Sequence, residues 1–295
     1  MAYGPAPSCV KASTRTPASG GAAPFGLTLI ARCSYIARAR STNARMRAPF
    51  KDVIKRDRLG DQPLPVAEFL AGLDRFIDAH NPYRQNKVIP AIGNGTASLE
   101  VVKRYAKELY YLGLWMTPEF PILIANAPDT DAFTLDDSEH YAHWAQNFAD
   151  EAGYLRDPNH VVLKVEYTRA LGIPDEELRA YVPMPETIGS VYTLLYYARR
   201  SYEEALGALG YARERVAGMS GYAKTLYEGL ATHYGVRVRD LEVHAYAEQE
   251  HGDKALELMQ RVCLSGYVQR RVRQAVEHTI LTNEWRAWAL NRWLE

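Results

Sequence analysis

The chain has 295 residues, of which 47% are apolar, and its basic and acidic side chains are equal in number. The charges are unevenly distributed, because residues 1–51 contain eight Lys or Arg and no acid, which leaves a net charge of −8 on the remainder. An acidic body argues against nucleic-acid binding, since phosphate contacts require a basic surface. No apolar run in the sequence reaches the length of a membrane span, so no membrane role is expected.

The N-terminal tract differs from the rest of the chain. Residues 1–45 are rich in Ala, Ser, Gly, Pro and Arg and lack a helical or strand period. A disordered tail, a transit-like segment, and upstream sequence preceding a true start at Met46 are all open explanations. We therefore assign residues 1–50 to a disordered or non-native extension and residues 51–295 to one domain. Cys263 is the only cysteine of that domain, so no disulfide framework is possible there, which fits a reducing cytoplasm.

Apolar residues at helical spacing predict a succession of helices along the domain. The predicted helices span residues 66–81, 100–115, 118–127, 136–153, 160–171, 188–216, 222–234, 240–258 and 272–294, with a further short helix beginning at residue 174. Gly210 is expected to bend the long helix at 188–216. The sequence shows no βαβ alternation and no internal repeat, so it predicts an all-α bundle.

The helix at 240–258 carries the most suggestive motif. His244, Glu248 and His251 are spaced i, i+4, i+7 and therefore share one face of the helix. Two imidazoles beside a carboxylate are typical of a metal site, although a polar surface stripe has the same spacing. The zinc-protease motif HExxH is absent, and the single Glu-x-x-His pair at Glu248 and His251 is one fewer than a ferritin-type site requires.

Earlier helices supply further Glu and His residues in similar surroundings: Glu151, His160 and Glu214. Together with the motif these make three carboxylates and three imidazoles, a mixed set that suits iron or manganese. Gly153 and Pro158 interrupt the helix between Glu151 and His160, so the two side chains can converge from separate segments. Glu214 lies in an Arg-Glu-Arg triplet, and a solvated ion-pair face is the alternative there.

The order Phe148-Ala-Asp-Glu-Ala-Gly, His160, Glu214 and His-x3-Glu-x2-His resembles the haem-oxygenase-like di-iron oxidases, relatives of the TenA and PqqC proteins. The resemblance covers about residues 65–258 and implies their helical bundle. It also implies two Fe ions held by Glu151, His160, Glu214, His244, Glu248 and His251, with O2 as co-substrate. Many members have Asp where this chain has Glu248, and the longer side chain could alter the coordination mode.

The resemblance implies oxidation of a small metabolite, for which we expect an amino acid, by desaturation, ring closure, hydroxylation or C–C cleavage. An external electron donor and a homodimer are compatible with it. Candidate substrate-binding residues are the cations Arg199 and Arg200 and the aromatic residues Tyr192, Tyr196 and Trp115. Two alternatives stay open, namely a metal-free oxidase of the PqqC type and a non-enzymatic helical binding protein.

Overall fold

The structure of the protein is a computed structural model that describes residues 62–128, 138–155 and 158–295, with the backbone alone at 116, 138, 139, 155 and 246–253. The predicted extension at 1–50 lies outside these ranges. Within them the chain forms helices and no strand, which confirms the all-α prediction. Over the same ranges, none of the helices is both long enough and apolar enough to cross a membrane.

The helices are numbered in chain order. They are α1 (Val66–Ala79), α2 (Pro82–Gln85), α3 (Val88–Gly93), α4 (Leu99–Met116), α5 (Glu119–Ala125), α6 (Ser138–Glu151), a 3-10 turn (Gly153–Leu155), α7 (His160–Ala170), α8 (Asp175–Ala180), α9 (Pro185–Ala198), α10 (Tyr202–Ala205), a π-helix (Leu206–Glu214), α11 (Arg215–Ser220), α12 (Tyr222–His233), α13 (Arg239–Val262), α14 (Gly266–Asn291) and a final 3-10 turn (Arg292–Leu294).

Local capping explains where several of these helices begin. The Ser98 hydroxyl accepts a hydrogen bond from the Val101 N–H at the start of α4, and the Asn159 side chain accepts one from the Val162 N–H at the start of α7. Such side chains satisfy backbone donors that have no partner inside the helix. The cap at Asn159 makes His160 the first residue of α7, which matters for the site described below.

The predicted single helix at 188–216 is wrong, because the chain forms four helical segments there. Helix α9 ends at Ala198, and Ser201 caps α10 by accepting from the Glu204 N–H. The π-helix follows, with the Arg215 N–H bonded to the Gly210 carbonyl oxygen five residues earlier. A Cβ atom at Gly210 would lie only 2.8 Å from the Trp144 ring, so close packing against α6 requires glycine there.

Two hydrophobic clusters make up the core. One surrounds the π-helix and includes Phe69, Phe120, Trp144 and Leu258. The other is built by residues from α3, α4, α7 and α12, with Tyr105 and Tyr167 among its largest buried side chains. Helix α7 packs against both α4 and α13. This arrangement brings the beginning of α7 against the first half of α13.

Candidate metal centre

The reversal between α6 and α7 brings two predicted ligands together. Glu151 is the last residue of α6, and Gly153 then adopts φ of 69°, a left-handed conformation that favours glycine. A Cβ atom at Gly153 would approach the Pro158 carbonyl group to 3.0 Å, so a larger residue does not fit the turn. As a result Nδ1 of His160 lies 3.0 Å from Oε1 of Glu151.

That short contact lacks hydrogen-bond geometry, and the buried Nδ1 of His160 has no hydrogen-bond partner among the described residues. Two ligand atoms bound to one ion at about 2.1 Å, at a right angle, are themselves about 3 Å apart. The separation of Glu151 and His160 therefore suits two ligands of a shared cation. An unpaired buried nitrogen is otherwise unfavourable.

His244 completes a cluster of three possible ligands. Its ring centroid lies 4.7 Å from that of His160, and one ligand atom from each of Glu151, His160 and His244 lies within 4.8 Å of the others. Nδ1 of His244 donates a hydrogen bond of 2.6 Å to the backbone carbonyl of Asp240. Since that bond occupies Nδ1, the lone pair of Nε2 remains for a metal ion.

Electrostatics favour the metal-binding forms of Glu151 and His244. Burial raises the pKa of the Glu151 carboxyl, but His160, Lys164 and His244 outweigh it and lower the pKa to about 2. Burial, followed by the nearby Lys164 charge, lowers the pKa of His244, although Asp240 opposes this. A carboxylate and a neutral imidazole are the states that bind metal ions, and little proton release is needed to reach them.

An ion pair lies beside the cluster. Nζ of Lys164 is 2.9 Å from Oδ1 of Asp240, whose side chain is buried, and the Lys164 side chain is 12% exposed. Burial lowers the pKa of Lys164, but the Asp240 and Glu151 carboxylates raise it further, so its net direction is upward. Burial raises the pKa of Asp240, whereas Lys164 and His244 lower it, with a net lowering. Both groups are therefore charged at neutral pH.

A cavity of about 50 Å³ opens beside the cluster. Glu151, Lys164, Asp240 and His244 line one part of it, and Glu214 lines it as well. The structure thus brings the fourth predicted ligand, Glu214, to the same cavity as two members of the cluster. The remaining two, Glu248 and His251, lie further along α13, where only the backbone is described. Their side chains are outside the described part of the chain.

The five predicted substrate-binding residues lie elsewhere. Trp115, Tyr192 and Arg199 line a separate cavity of about 420 Å³, most of whose lining comes from α4 and α9. Arg200 donates hydrogen bonds to the Glu204 carboxylate and to the Tyr196 hydroxyl, so the charge of Arg200 is paired with that of Glu204. None of the five lines the cavity that contains Glu151 and His244.

Sequence reasoning missed three polar residues near this region. Lys164 and Asp240 each lie one helical turn from a predicted histidine, and that i, i+4 spacing was a usable signal. Glu119 is fully buried, and neither of its oxygens has a hydrogen-bond partner within the described ranges. Burial raises its pKa well above the ordinary value, Arg213 lowers it and Glu214 raises it. An acid directly before the apolar segment Phe120–Ala125 was the visible cue.

A family of known proteins matches most of the helical domain. A model of a family of iron-containing redox enzymes matches residues 104–284, which is more than half of the chain. This range includes Glu151, His160, Glu214 and the His244 motif. No curated protein matches the sequence significantly.

Solved structures share the helical architecture. A TenA homologue from Pseudomonas syringae pv. tomato str. DC3000 matches 79% of this chain and 98% of its own, with TM-score 0.60 and 16% identity. A CADD-like protein of unknown function from Nostoc punctiforme PCC 73102 matches 78% of this chain and 99% of its own, with TM-score 0.55 and 15% identity.

A domain of unknown function with a haem-oxygenase-like fold from Shewanella denitrificans OS217 matches 77% of this chain and 90% of its own, with TM-score 0.54 and 15% identity. At such identities the likeness establishes the fold alone. The family match extends beyond the fold to a coarse class of activity, iron-containing redox enzymes. The chain therefore belongs to the family of iron-containing redox enzymes and has a haem-oxygenase-like helical fold.

Proposed function

We propose that this protein is an O2-dependent, non-haem di-iron oxidase or oxygenase that acts on a small metabolite, with an amino acid as the expected substrate class. One observation carries the proposal: Glu151, His160 and His244 converge within 4.8 Å in a chain that belongs to an iron-containing family. An oxygen and two nitrogen donors suit iron better than a structural zinc site, which favours thiolates and imidazoles.

The proposed ligand set is Glu151, His160, Glu214, His244, Glu248 and His251. Glu151 comes from α6, His160 from α7 and His244 from α13. Glu214 comes from the π-helix, so four segments of the bundle would hold the two ions. When bound, ferrous ions would supply the electrons that reduce O2 and so make oxidation of a substrate C–H or N–H bond accessible. An external donor would restore the reduced form.

The protein's own groups prepare the site. The carbonyl of Asp240 orients the His244 ring through its bond to Nδ1. The ion pair between Lys164 and Asp240 holds α7 and α13 in register one turn away from the histidines. Leu109, Leu112 and Phe120 form apolar walls of the cavity next to the ligands.

The metal-free alternative predicts oxygen consumption without iron, and the donor chemistry of the cluster argues against it.

To test the proposal, metal-free protein would be loaded anaerobically with Fe(II) and freed of excess iron, and its iron content would be measured by elemental analysis. We expect about two irons per wild-type chain, as six such ligands can hold a pair. His160→Ala and His244→Ala should each lose at least half of that iron while keeping wild-type helical content by circular dichroism.

His233→Ala is the matched control, since His233 is exposed on α12 and lines no part of the cavity. It should bind iron like the wild type. Absence of bound iron in the wild type, or unchanged stoichiometry in both site variants, would overturn the proposal. Oxygen uptake by the reduced protein, measured with each of the protein amino acids, would then identify the substrate, and uptake that persists after chelation would favour the metal-free alternative.

A further inference from the structure

A buried arginine near the candidate metal centre has no ion-pair partner among the residues that the structure describes. Arg286 on α14 is 6% exposed, and its Nε donates a hydrogen bond of 3.0 Å to the Thr187 hydroxyl. Its Nη2 is fully buried and has no hydrogen-bond partner among the described residues. The nearest acid along the helix is Glu284, and its Oε2 lies 3.1 Å from Nδ1 of His80 instead. A desolvated guanidinium without an anion is unfavourable, so this position calls for a negatively charged ligand.

The surroundings of Arg286 favour an anion. It lines a small cavity of about 20 Å³ together with a second arginine, Arg213, and no Asp or Glu belongs to the lining. Two amide side chains in the lining are committed to other bonds. Asn86 caps the backbone of α3 through Val88, and Asn283 accepts from the Ser190 hydroxyl. Amide groups carry no net charge, so neither side chain supplies a counterion for Arg286.

The small cavity adjoins the cavity at the metal centre. Leu109, Leu112, Arg213 and Tyr222 line both spaces. A ligand whose anionic end lies beside Arg286 would therefore extend past these residues towards Glu151 and His244. Both spaces are small, at about 20 Å³ and about 50 Å³, so they suit a short molecule rather than a long acyl chain.

We propose that Arg286 binds the carboxylate of the substrate and thereby selects short carboxylate-bearing metabolites, such as amino acids, for oxidation at the adjoining metal centre. A guanidinium suits this task because its donors match the two oxygens of a carboxylate. The inference rests on the proposed function for its second half, the placement of the substrate next to the metal ions. The binding of the carboxylate itself does not depend on iron.

The test measures binding by the metal-free full-length protein, using calorimetry with each of the protein amino acids and with the carboxamide of every binder. We expect at least one amino acid to bind the wild type and its carboxamide to bind at least tenfold more weakly. Arg286→Met should weaken binding of that amino acid at least tenfold. Arg286→Lys should recover part of the loss, because it restores the charge but not the planar pair of donors.

Arg273→Met is the matched control, because Arg273 lies on the same helix and lines neither cavity. It should bind like the wild type. Equal affinity of wild type and Arg286→Met, equal affinity for acid and carboxamide, or no binding of any amino acid would overturn the inference. Should Arg286→Met fail to fold, the comparison between wild type and Arg286→Lys still decides the matter.

Iron stoichiometry, measured separately, keeps the two proposals distinct. Arg286→Met should load as much iron as the wild type, since Arg286 is not among the proposed ligands. If the protein binds iron but its affinity for amino acids does not depend on Arg286, this inference alone is overturned. Carboxylate binding through Arg286 in a protein that binds no iron would leave it standing and remove the di-iron function.

Discussion

Lys164 and Asp240 form a buried ion pair of 2.9 Å between α7 and α13, one helical turn from His160 and His244. Lys164 follows His160 by four residues, and Asp240 precedes His244 by four, so each pair shares one face of its helix. Because the histidines face each other and the charges face each other, the two helices run antiparallel at this point. The ion pair thus sets the register in which the two imidazoles meet.

We expect removal of one partner of this pair to destabilise the protein strongly. Lys164→Met should lower the free energy of unfolding by about 3–5 kcal/mol, because it leaves the Asp240 carboxylate buried without its cation. The double variant Lys164→Met/Asp240→Leu should recover most of the loss, since it buries no charge. Urea unfolding of Lys164→Met, Asp240→Leu and the double variant measures the coupling between the two side chains.

The exposed pair of Arg169 and Asp175 offers a matched control. Arg169→Met should lower the free energy of unfolding far less than Lys164→Met does, as exposed ion pairs contribute little. A cost for Lys164→Met no larger than that of the control would show that burial does not strengthen the interaction between Lys164 and Asp240.

Glu119 should make the stability of the metal-free protein fall as pH rises. Burial raises the pKa of this carboxyl well above its ordinary value of 4.5. Above pH 4.5 the unfolded chain releases the proton while the folded chain retains it, so unfolding becomes progressively more favourable until the folded pKa is reached. Glu119→Gln removes this contribution. The variant should match the wild type near pH 4 and exceed it by at least about 1 kcal/mol at pH 8.

Urea unfolding at several pH values checks this difference. Glu176→Gln is the control, because Glu176 is exposed on α8. The difference between Glu119→Gln and the wild type should vary with pH more than the difference between this control and the wild type. A constant difference between Glu119→Gln and the wild type across the same range would contradict the expectation.

Two helical glycines should respond in opposite directions to alanine. A Cβ atom at Gly229 on α12 would lie 2.5 Å from Cα of Gly93 and 2.7 Å from the Ile92 carbonyl oxygen, both backbone atoms of α3. Since the backbones must separate, Gly229→Ala should lower the free energy of unfolding by about 1–3 kcal/mol. Gly189 on α9 has no atom within 4 Å of such a Cβ, and Gly189→Ala should raise it by about 1 kcal/mol. Thermal unfolding of both variants tests the close approach of α3 and α12, and a stabilised Gly229→Ala would refute it.

Cys263 should be inert in the folded protein. Its side chain is fully buried, and burial, followed by the nearby Glu203, raises the pKa of its thiol to about 12. At pH 8 about one thiol in ten thousand is then ionised, and the thiolate is the reactive form. In the variant Cys9→Ser/Cys33→Ser, in which Cys263 is the sole thiol, a maleimide or disulfide reagent should label the native protein at least a hundredfold more slowly than the urea-unfolded protein. Comparable rates in the two states would show that the thiol is accessible.

The sequence by itself determined the class of fold and the order of the candidate ligands. Helical periodicity and caps such as Ser98 and Asn159 are local properties, so the existence of most helices could be predicted from neighbouring residues. The i, i+4, i+7 spacing of His244, Glu248 and His251 is equally local. The break at Gly153 predicted that Glu151 and His160 can converge, because a left-handed glycine reverses the chain within a few residues.

Only the tertiary structure decided what those local elements meet. The π-helix depends on how Gly207 and Gly210 pack against α14 and Trp144, and no pattern within residues 188–216 carries that information. The pairing of Lys164 with Asp240 joins residues 76 positions apart. In the sequence Arg286 cannot be told from any other arginine. Its guanidinium is buried because α4, α9 and α14 pack around it. Long-range packing and desolvation therefore decided the roles of these residues. The strength of an interaction made by a charged side chain depends on its burial and on the groups around it in space, and neither can be read from neighbouring residues in the sequence.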